Sequence, residues 1–327
     1  MTFIRRLSTF LFGLLFVATC AAQAPQADKD YPSRPIKLVV PFPPGGAVDT
    51  LARKLGEDLR KRLNATVIVD NRPGAGTVIG TDLVAKSPPD GYTLLINAPA
   101  GVVQLPWLQA KLPYDPLKDL QPINVAANVP VALIVPTTLK VNSFSEFVAH
   151  AKSQQGKMSF ASLGNGSTVH IFGEILNGKL KAGAVHVPYK GDSPAMVDLI
   201  GGRVDFMFNN VLSSINFAER GNVKILAVTG EKRIPALPDV PTLSELGMQD
   251  FELVGWFAMF APAGTPRPIL EKIHGALRDA YRTKEFAGYL TTSGLGSVDV
   301  GIDQFTKQVK DEHAKWGKLI KAHNIQM

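Results

Sequence analysis

The amino-acid sequence predicts an α/β protein built as two lobes. Three observations lead there. Strand-like and helical periodicities alternate along the chain. They fall into two sets, separated by a proline-interrupted uncharged stretch. The length also suffices for two domains of ordinary size.

The first set opens with Pro35–Pro41, a short apolar strand ended by proline. Val48, Leu51, Ala52, Leu55, Leu59 and Leu63 then recur at helical spacing and make one apolar face. Thr66 to Asp70 is β-branched and reads as a strand, Gly74-Ala75-Gly76 opens a helix near Thr77 to Ala85, and Asp90-Gly91 turns into a strand at Tyr92 to Ile96. This βαβαβ order implies a parallel sheet with helices on both faces. The uncharged run Leu120 to Leu139 carries Pro122, Pro130 and Pro136, which excludes a membrane span and reads as strand and loop.

The second set begins near Ala132–Val135. Ser143-Phe144-Ser145-Glu146 is a capping box that starts a helix. Strands at Met158 to Ser162, Ala184 to Val187, Val204 to Phe208 and Val223 to Val228 alternate with helices at Ser167 to Leu176 and Pro194 to Ile200. Ala236 to Pro241 is read as extended, and Thr242-Leu243-Ser244-Glu245 as another capping box. Thr265-Pro266 starts a helix through Tyr281, with proline harmless in the first turn, and a final helix covers Ile302 to Ala322. The first set has few strands and the C-terminal helices need a sheet to cover. The expected division is therefore lobe 1 from 23–127 and 252–327, with lobe 2, 128–251, inserted. Hinge crossings are expected near Asn124 to Pro130 and Phe251 to Gly255.

Arg5-Arg6, the apolar Phe10 to Ala18 and the small residues Cys20-Ala21-Ala22 follow the order of a secretory signal peptide, 1–22. Cleavage after Ala22 leaves about 305 residues with no cysteine, hence no disulfide. The alternative, a lipoprotein cut before Cys20, is weakened by Thr19. The formal charge of +7 is spread along the chain without an arginine-rich arm or a zinc finger, which argues against a nucleic-acid partner.

Two loops have the right chemistry to hold an anion. Pro41-Phe42-Pro43-Pro44-Gly45-Gly46-Ala47-Val48-Asp49 joins the first strand to the first helix, where free N–H groups and the positive end of the helix dipole converge. Ser162-Leu163-Gly164-Asn165-Gly166-Ser167-Thr168-Val169-His170 repeats that design in the second set. Ser167 and Thr168 either cap the helix or donate to a carboxylate, and His170 is more often a packed residue than a ligand group. Tyr189-Lys190-Gly191-Asp192 is a third candidate rim, with Lys190 a surface charge unless it turns inward. Enzyme signals are poor. Gly74, Gly76 and Gly80 imitate a dinucleotide loop but follow Asn71-Arg72-Pro73 and lack an acidic ribose partner. Gly191-Asp192-Ser193-Pro194-Ala195 lacks the closing glycine of a nucleophile elbow. The six histidines have no metal-ligand spacing, and no cofactor motif occurs.

Together these motifs resemble the Bug-type extracytoplasmic solute receptors, the substrate-binding components of tripartite tricarboxylate transporters. The resemblance is carried by Tyr31 to Ile36, Pro41-Phe42 with Gly45-Gly46 and Asp49, Asn71 to Gly76, Pro89 to Leu94, Gly164 to His170, Val187 to Gly191 and Leu237 to Thr242. It implies a two-lobed periplasmic-binding-protein type II fold that shuts on an organic carboxylate, works as a monomer and docks on membrane permease subunits. It also implies no catalysis, cofactor or metal. Carried over by position, it favours Pro44, Gly45, Gly46, Ser162, Ser167 and Thr168 as contacts. Phe42, Asp49, Gly164, His170, Tyr189, Lys190 and Asn209 complete the candidate ligand-binding set. Asn209 departs from the family's usual Asp, which argues against a cationic substrate group. A receptor that presents its ligand to a sensor, and a secreted hydrolase or lyase, are the alternatives.

Overall fold

The computed structural model describes residues 30–326, so the expected leader, with its cleavage after Ala22 or acylation at Cys20, lies outside the described residues. From Pro32 onward the chain forms one compact unit.

Strand β1 (Ile36–Val40) runs into α1 (Ala47–Leu63), whose apolar stripe buries Leu51, Ala52, Leu55 and Leu59. There follow β2 (Val67–Asn71), α2 (Val78–Ala85) and β3 (Thr93–Asn97), then a π-helical turn at Ala100–Gln104, α3 (Leu105–Leu108), α4 (Pro116–Asp119) and the long β4 (Leu120–Val129). Next come β5 (Val131–Pro136), α5 (Phe144–Ser153), β6 (Ser159–Ser162), α6 (Thr168–Leu180), β7 (Val185–Pro188), α7 (Asp192–Ile200), β8 (Phe206–Asn210), α8 (Val211–Glu219) and β9 (Val223–Val228). The chain ends with β10 (Gly255–Pro262), α9 (Arg267–Tyr281), α10 (Lys284–Thr292) and α11 (Ile302–Ala322).

Two five-stranded sheets result, ordered β2-β1-β3-β10-β4 and β7-β6-β8-β5-β9. The parallel order expected of the first three strands holds for β2-β1-β3, but neither sheet is parallel throughout. β10 lies antiparallel to both β3 and β4, and β5 antiparallel to both β8 and β9, so each sheet is mixed. Sheet membership changes at Pro130, between β4 and β5, and again between Val228 and Gly255. The late strand β10 inserts between β3 and β4, which is why α9 and α11 pack on the first sheet.

Each sheet has its own aromatic core. Trp256, Phe260 and Phe305 meet in the first, where buried Trp256 donates Nε1–H to Glu312 Oε2 at 2.8 Å. Phe147, Phe160 and Phe206 meet in the second. Between them Phe172 of α6 touches Trp316, Phe251 and Phe208, an apolar contact that joins the two halves.

Two local expectations are overturned. Ala236 to Pro241 is not extended. It lies in successive turns, with Leu237 N–H donating to Ile234 O at 3.0 Å and Val240 N–H to Leu237 O at 3.2 Å. Thr242 and Glu245 do close a reciprocal box, Glu245 N–H to Thr242 Oγ1 at 3.0 Å and Thr242 N–H to Glu245 Oε2 at 3.1 Å. No helix grows from it, because the chain turns at Gly247 (φ 77°) before a second turn forms. At Ser143 the box does start a helix: Ser143 Oγ accepts Glu146 N–H at 3.2 Å, while Glu146 Oε2 reaches Asn142 N–H at 2.8 Å.

Candidate functional site

The C-terminal ends of β1 and β3 are neighbours in the first sheet, and those of β6, β7 and β8 in the second. The loops leaving these ends form two rims. After β1, Phe42 to Gly46 is set by Asp49, whose side chain is buried. One carboxylate oxygen accepts Gly45 N–H at 2.8 Å and Arg53 Nε at 3.0 Å, and the other accepts Asn71 Nδ2 at 2.9 Å. Asn71 also donates to Phe42 O at 3.2 Å, fastening both ends of the loop. Burial pushes the Asp49 carboxyl up. The hydrogen bonds from Arg53, Gly45 and Asn71 outweigh it and hold the group below the usual carboxylate range. Asp49 is thus a support for the loop, with both oxygens occupied, while Phe42 is half-buried and Pro44, Gly45 and Gly46 stay exposed. The left-handed residue is Gly45 (φ 85°), and Gly46 sits at φ −80° as the N-cap of α1. The first N–H groups of α1 have no partner within the helix and open onto this rim.

After β6, Gly164 (φ 116°) and Gly166 (φ 74°) let the backbone fold under the start of α6. Ser167 is the N-cap: its Oγ accepts His170 N–H at 3.3 Å and donates to Gly164 O at 2.7 Å. Ser162 Oγ lies 2.7 Å from His186 Nε2 and accepts Gly164 N–H at 3.2 Å. His170 Nδ1 accepts Gly166 N–H at 3.2 Å, so its proton sits on Nε2, 3.6 Å from Glu174 Oε1. Ser162, Ser167 and His170 are therefore spent on shaping the loop. Thr168 is the exception among these side chains, because its Oγ1 reaches across to Gln104 at 3.1 Å, the meeting point of the two rims.

His170 and His186 stack with ring centroids 3.9 Å apart, and Phe160 lies on the other side of His186. Burial, and then the neighbouring His170, push the His186 imidazole down to about 4, against a smaller opposing pull from Glu174. His170, Glu174 and His186 bring potential ligand atoms within 4.8 Å of one another, a cluster not expected from the sequence. In the arrangement seen, the near-parallel rings do not aim at a common point, and His170 Nδ1 and His186 Nε2 already serve Gly166 and Ser162.

The other loops of the second rim, after β7 and β8, are also internally bonded. Tyr189 donates its hydroxyl to Asp198 at 2.7 Å, and burial followed by that carboxylate pushes the phenol up to about 12. Lys190 is exposed. Asn209 is fully buried and gives Nδ2–H to Asp192 Oδ1 at 2.5 Å, while Ser213 Oγ holds the other oxygen at 2.7 Å. An aspartate at 209 would face Asp192 directly, so the amide is what this packing needs. Asn210, not foreseen, caps α8 by accepting Ser213 N–H at 2.8 Å. It also lines a cavity of about 150 Å³ with Ala47, Thr50, Val129 and Tyr289, at the start of α1. A larger cavity of about 490 Å³ lies along the crossing segments, between Thr229–Ala236 and Thr291–Ser297.

Gly80 and Gly173 have packing roles. A Cβ on Gly80 would come 2.8 Å from Pro41 Cβ, so α2 lies close against the end of β1, and one on Gly173 would strike the Phe160 ring. Gly80 thus belongs to a helix–strand contact and not to a dinucleotide loop. Among the described residues no helix is long and apolar enough to cross a membrane.

Two mixed α/β lobes with glycine-rich helix starts on facing rims define a two-lobed binding protein of the periplasmic-binding-protein type. Comparison with known proteins agrees. The family model of the tripartite tricarboxylate transporter family receptor matches residues 51–325. The chain is 36% identical to Protein BugT of Bordetella pertussis, over 94% of each chain. Its fold is similar to that of R. palustris Rpa4515 with adipate (TM-score 0.83, 32% identity, 91% of this chain and 99% of that one). It is likewise similar to MatC from Rhodopseudomonas palustris with bound malate (TM-score 0.79, 30% identity, 89% and 100%). The chain belongs to the tripartite tricarboxylate transporter receptor family, of Bug type.

Proposed function

We propose that this protein is a periplasmic receptor that closes two lobes on a small dicarboxylate and hands it to the permease subunits of a tripartite tricarboxylate-type transporter, without catalysing a reaction. The observation that carries the reading is the pair of helix starts. α1 and α6, 17 and 13 residues long, begin behind glycine-rich loops on opposite rims that meet at Gln104 and Thr168. Each offers unpaired N–H groups and a positive dipole end, so one carboxylate per rim is the matching ligand. The adipate and malate of the two related structures are dicarboxylates, which fits.

The contacts we assign are the backbone of Phe42, Pro44, Gly45 and Gly46 and the start of α1 on one side, with Gly164 and Thr168 on the other. Asp49, Ser162, Ser167, His170, Tyr189 and Asn209 hold those contacts in place. In this reading the protein is a monomer whose lobes close about the two crossings, at Pro130 and between Val228 and Gly255.

A melting-temperature screen of dicarboxylates against their diamides tests this. At 100 times the dissociation constant, binding adds about 2.7 kcal/mol. For a chain of this size that is about 5 °C. Acids that stabilise while diamides do not is the expected outcome. A panel of adipate, malate, succinate and aromatic acids that gives no shift, with no acid co-purifying, overturns the reading.

A further inference from the structure

Gln104 carries no sequence signal, yet it occupies a singular place. It is fully buried at the end of the π-helical turn that follows β3. That turn is fixed: Tyr114 donates its hydroxyl to Gly101 O at 2.9 Å, and a Cβ on Gly101 would collide with Thr77 Oγ1 and Asn97 Nδ2. α11 packs on the same turn. From this rigid seat the Gln104 carboxamide meets the Thr168 hydroxyl in two ways. Nε2–H points to Oγ1 at 3.1 Å, and Oε1 lies 3.2 Å from the same Oγ1 as acceptor. Among the described residues, no other hydrogen bond between side chains joins the first sheet's half of the chain to residues 131–228. The halves also meet through apolar groups, as at Phe172 and Trp316, and through Asp250 of the crossing segment, which lies 2.6 Å from Lys179 Nζ and 3.7 Å from His323 Nε2.

A hydroxyl has one proton and accepts through its lone pairs, so this pair has two usable states. In one, Thr168 gives its proton to Gln104 Oε1. In the other, Gln104 Nε2–H donates to Thr168 Oγ1 and the hydroxyl proton is free to point elsewhere. We propose that Gln104 is a latch across the cleft: it holds Thr168 when no ligand is present and keeps the lobes closed for part of the time. When a carboxylate arrives it yields the hydroxyl proton to that carboxylate while still donating through Nε2. Gln104 is thus a positioning residue for Thr168, and its role as a donor to the ligand-bound state rests on the carboxylate reading above.

Spin labels at two exposed sites, Lys61 on α1 and Val197 on α7, report lobe separation in protein produced from Gln23 on, which contains no other cysteine. Without ligand, Gln104→Met and Thr168→Val should each raise the open-to-closed ratio by roughly two- to tenfold, and the double variant should do no more than the larger single one. Gln104→Glu can only accept the Thr168 proton. It should keep the wild-type separation yet bind adipate or malate at least about tenfold more weakly, through lost donation and like-charge repulsion. Unchanged ligand-free separations in both Gln104→Met and Thr168→Val refute the latch, as does undiminished carboxylate affinity in Gln104→Glu. Wild-type protein that responds to no carboxylate, while the two variants open, refutes the proposed ligand class and leaves the latch standing.

Discussion

Asp49→Ala should weaken both the fold and the binding of a carboxylate, by amounts the geometry sets. The substitution removes acceptors for three donors: Gly45 N–H, Arg53 Nε and Asn71 Nδ2. Bonds to a charged acceptor are worth about 1.5–3 kcal/mol each when neither partner can rehydrate. Here the Arg53 side chain is 55% exposed and Gly45 is exposed, so both recover water, and these two contribute at the low end, about 0.5–1 kcal/mol each. Asn71 is half-buried and keeps Phe42 O, so its loss is about 1 kcal/mol. Removing a negative charge from the first turn of α1 costs a few tenths more, for a total of about 2–4 kcal/mol. That corresponds to a fall in Tm of about 4–8 °C by calorimetry. The carboxyl is held below its ordinary value in the folded protein, so its contribution is present above the unfolded pKa and lost as pH falls through the folded one. The deficit of the variant should therefore stay constant from pH 7 down to about 4 and shrink only below that. Carboxylate affinity, read by titration calorimetry at a temperature where both proteins are folded, should fall with it. An Asp49→Ala protein that melts with wild type and binds as wild type would mean that the loop is set by its prolines alone.

Two further outcomes follow from the same rims. His186 is depressed to about 4 in the folded chain, so the unfolded chain binds more protons between about pH 6.5 and 4, and stability should fall as pH drops through that window, by up to about 3 kcal/mol. His186→Phe, which keeps the stack on Phe160 and His170 but cannot be protonated, should flatten that slope, and an unchanged slope would remove His186 as its source. Gly45→Ala should cost about 1 kcal/mol, because its φ of 85° is left-handed, whereas Gly46→Val should fold normally, since φ is −80° there and the nearest atom to a Cβ is Pro43 O at 3.8 Å. If Gly46→Val still binds a carboxylate within twofold of wild type, the ligand does not lie against this loop.

Much of the fold was legible because its signals are local. The amphipathic stripe of α1, the capping serine of α5 and the proline at the start of α9 each act within a few residues, and the observed ends fall within two residues of the expected starts. β10 was not legible as a strand. All eight of its residues are buried, so no alternation marks it, and its antiparallel seat between β3 and β4 depends on a partner more than 120 residues away. The glycine-rich loops announced a site, but the division of labour within them did not follow from residue type. Ser162, Ser167 and Thr168 are all hydroxyls. Which one faces the opposite rim depends on His186, Gly164 and Gln104, which only the folded chain brings near.

The two rims share a design, strand to glycine loop to helix start, yet they are braced differently, and the difference bears on how the protein meets its ligand. The first rim is braced by a buried anion, Asp49, whose charge is balanced by Arg53. The β6–α6 loop of the second is braced instead by a stacked imidazole pair and a serine. A carboxylate approaching the first rim therefore meets helix dipole and arginine alongside a negative charge already neutralised by three donors. At the β6–α6 loop the bracing hydrogen bonds described above involve no carboxylate, and Glu174 stands one turn down the helix. Acidification should thus act on the second rim through His186: a proton there would put a charge into the half-buried stack with Phe160 and His170, beside the Ser162 Oγ that holds Gly164 N–H, and push the loop out of shape. Carboxylate affinity should then fall as the pH approaches about 4, where His186 of the folded chain takes up its proton. His186→Phe, which keeps the stack but cannot be protonated, should bind the same ligand with a flatter pH profile than wild type, the ligand's own protonation being common to both. A His186→Phe profile as steep as that of wild type would show that this imidazole has no hold on the loop.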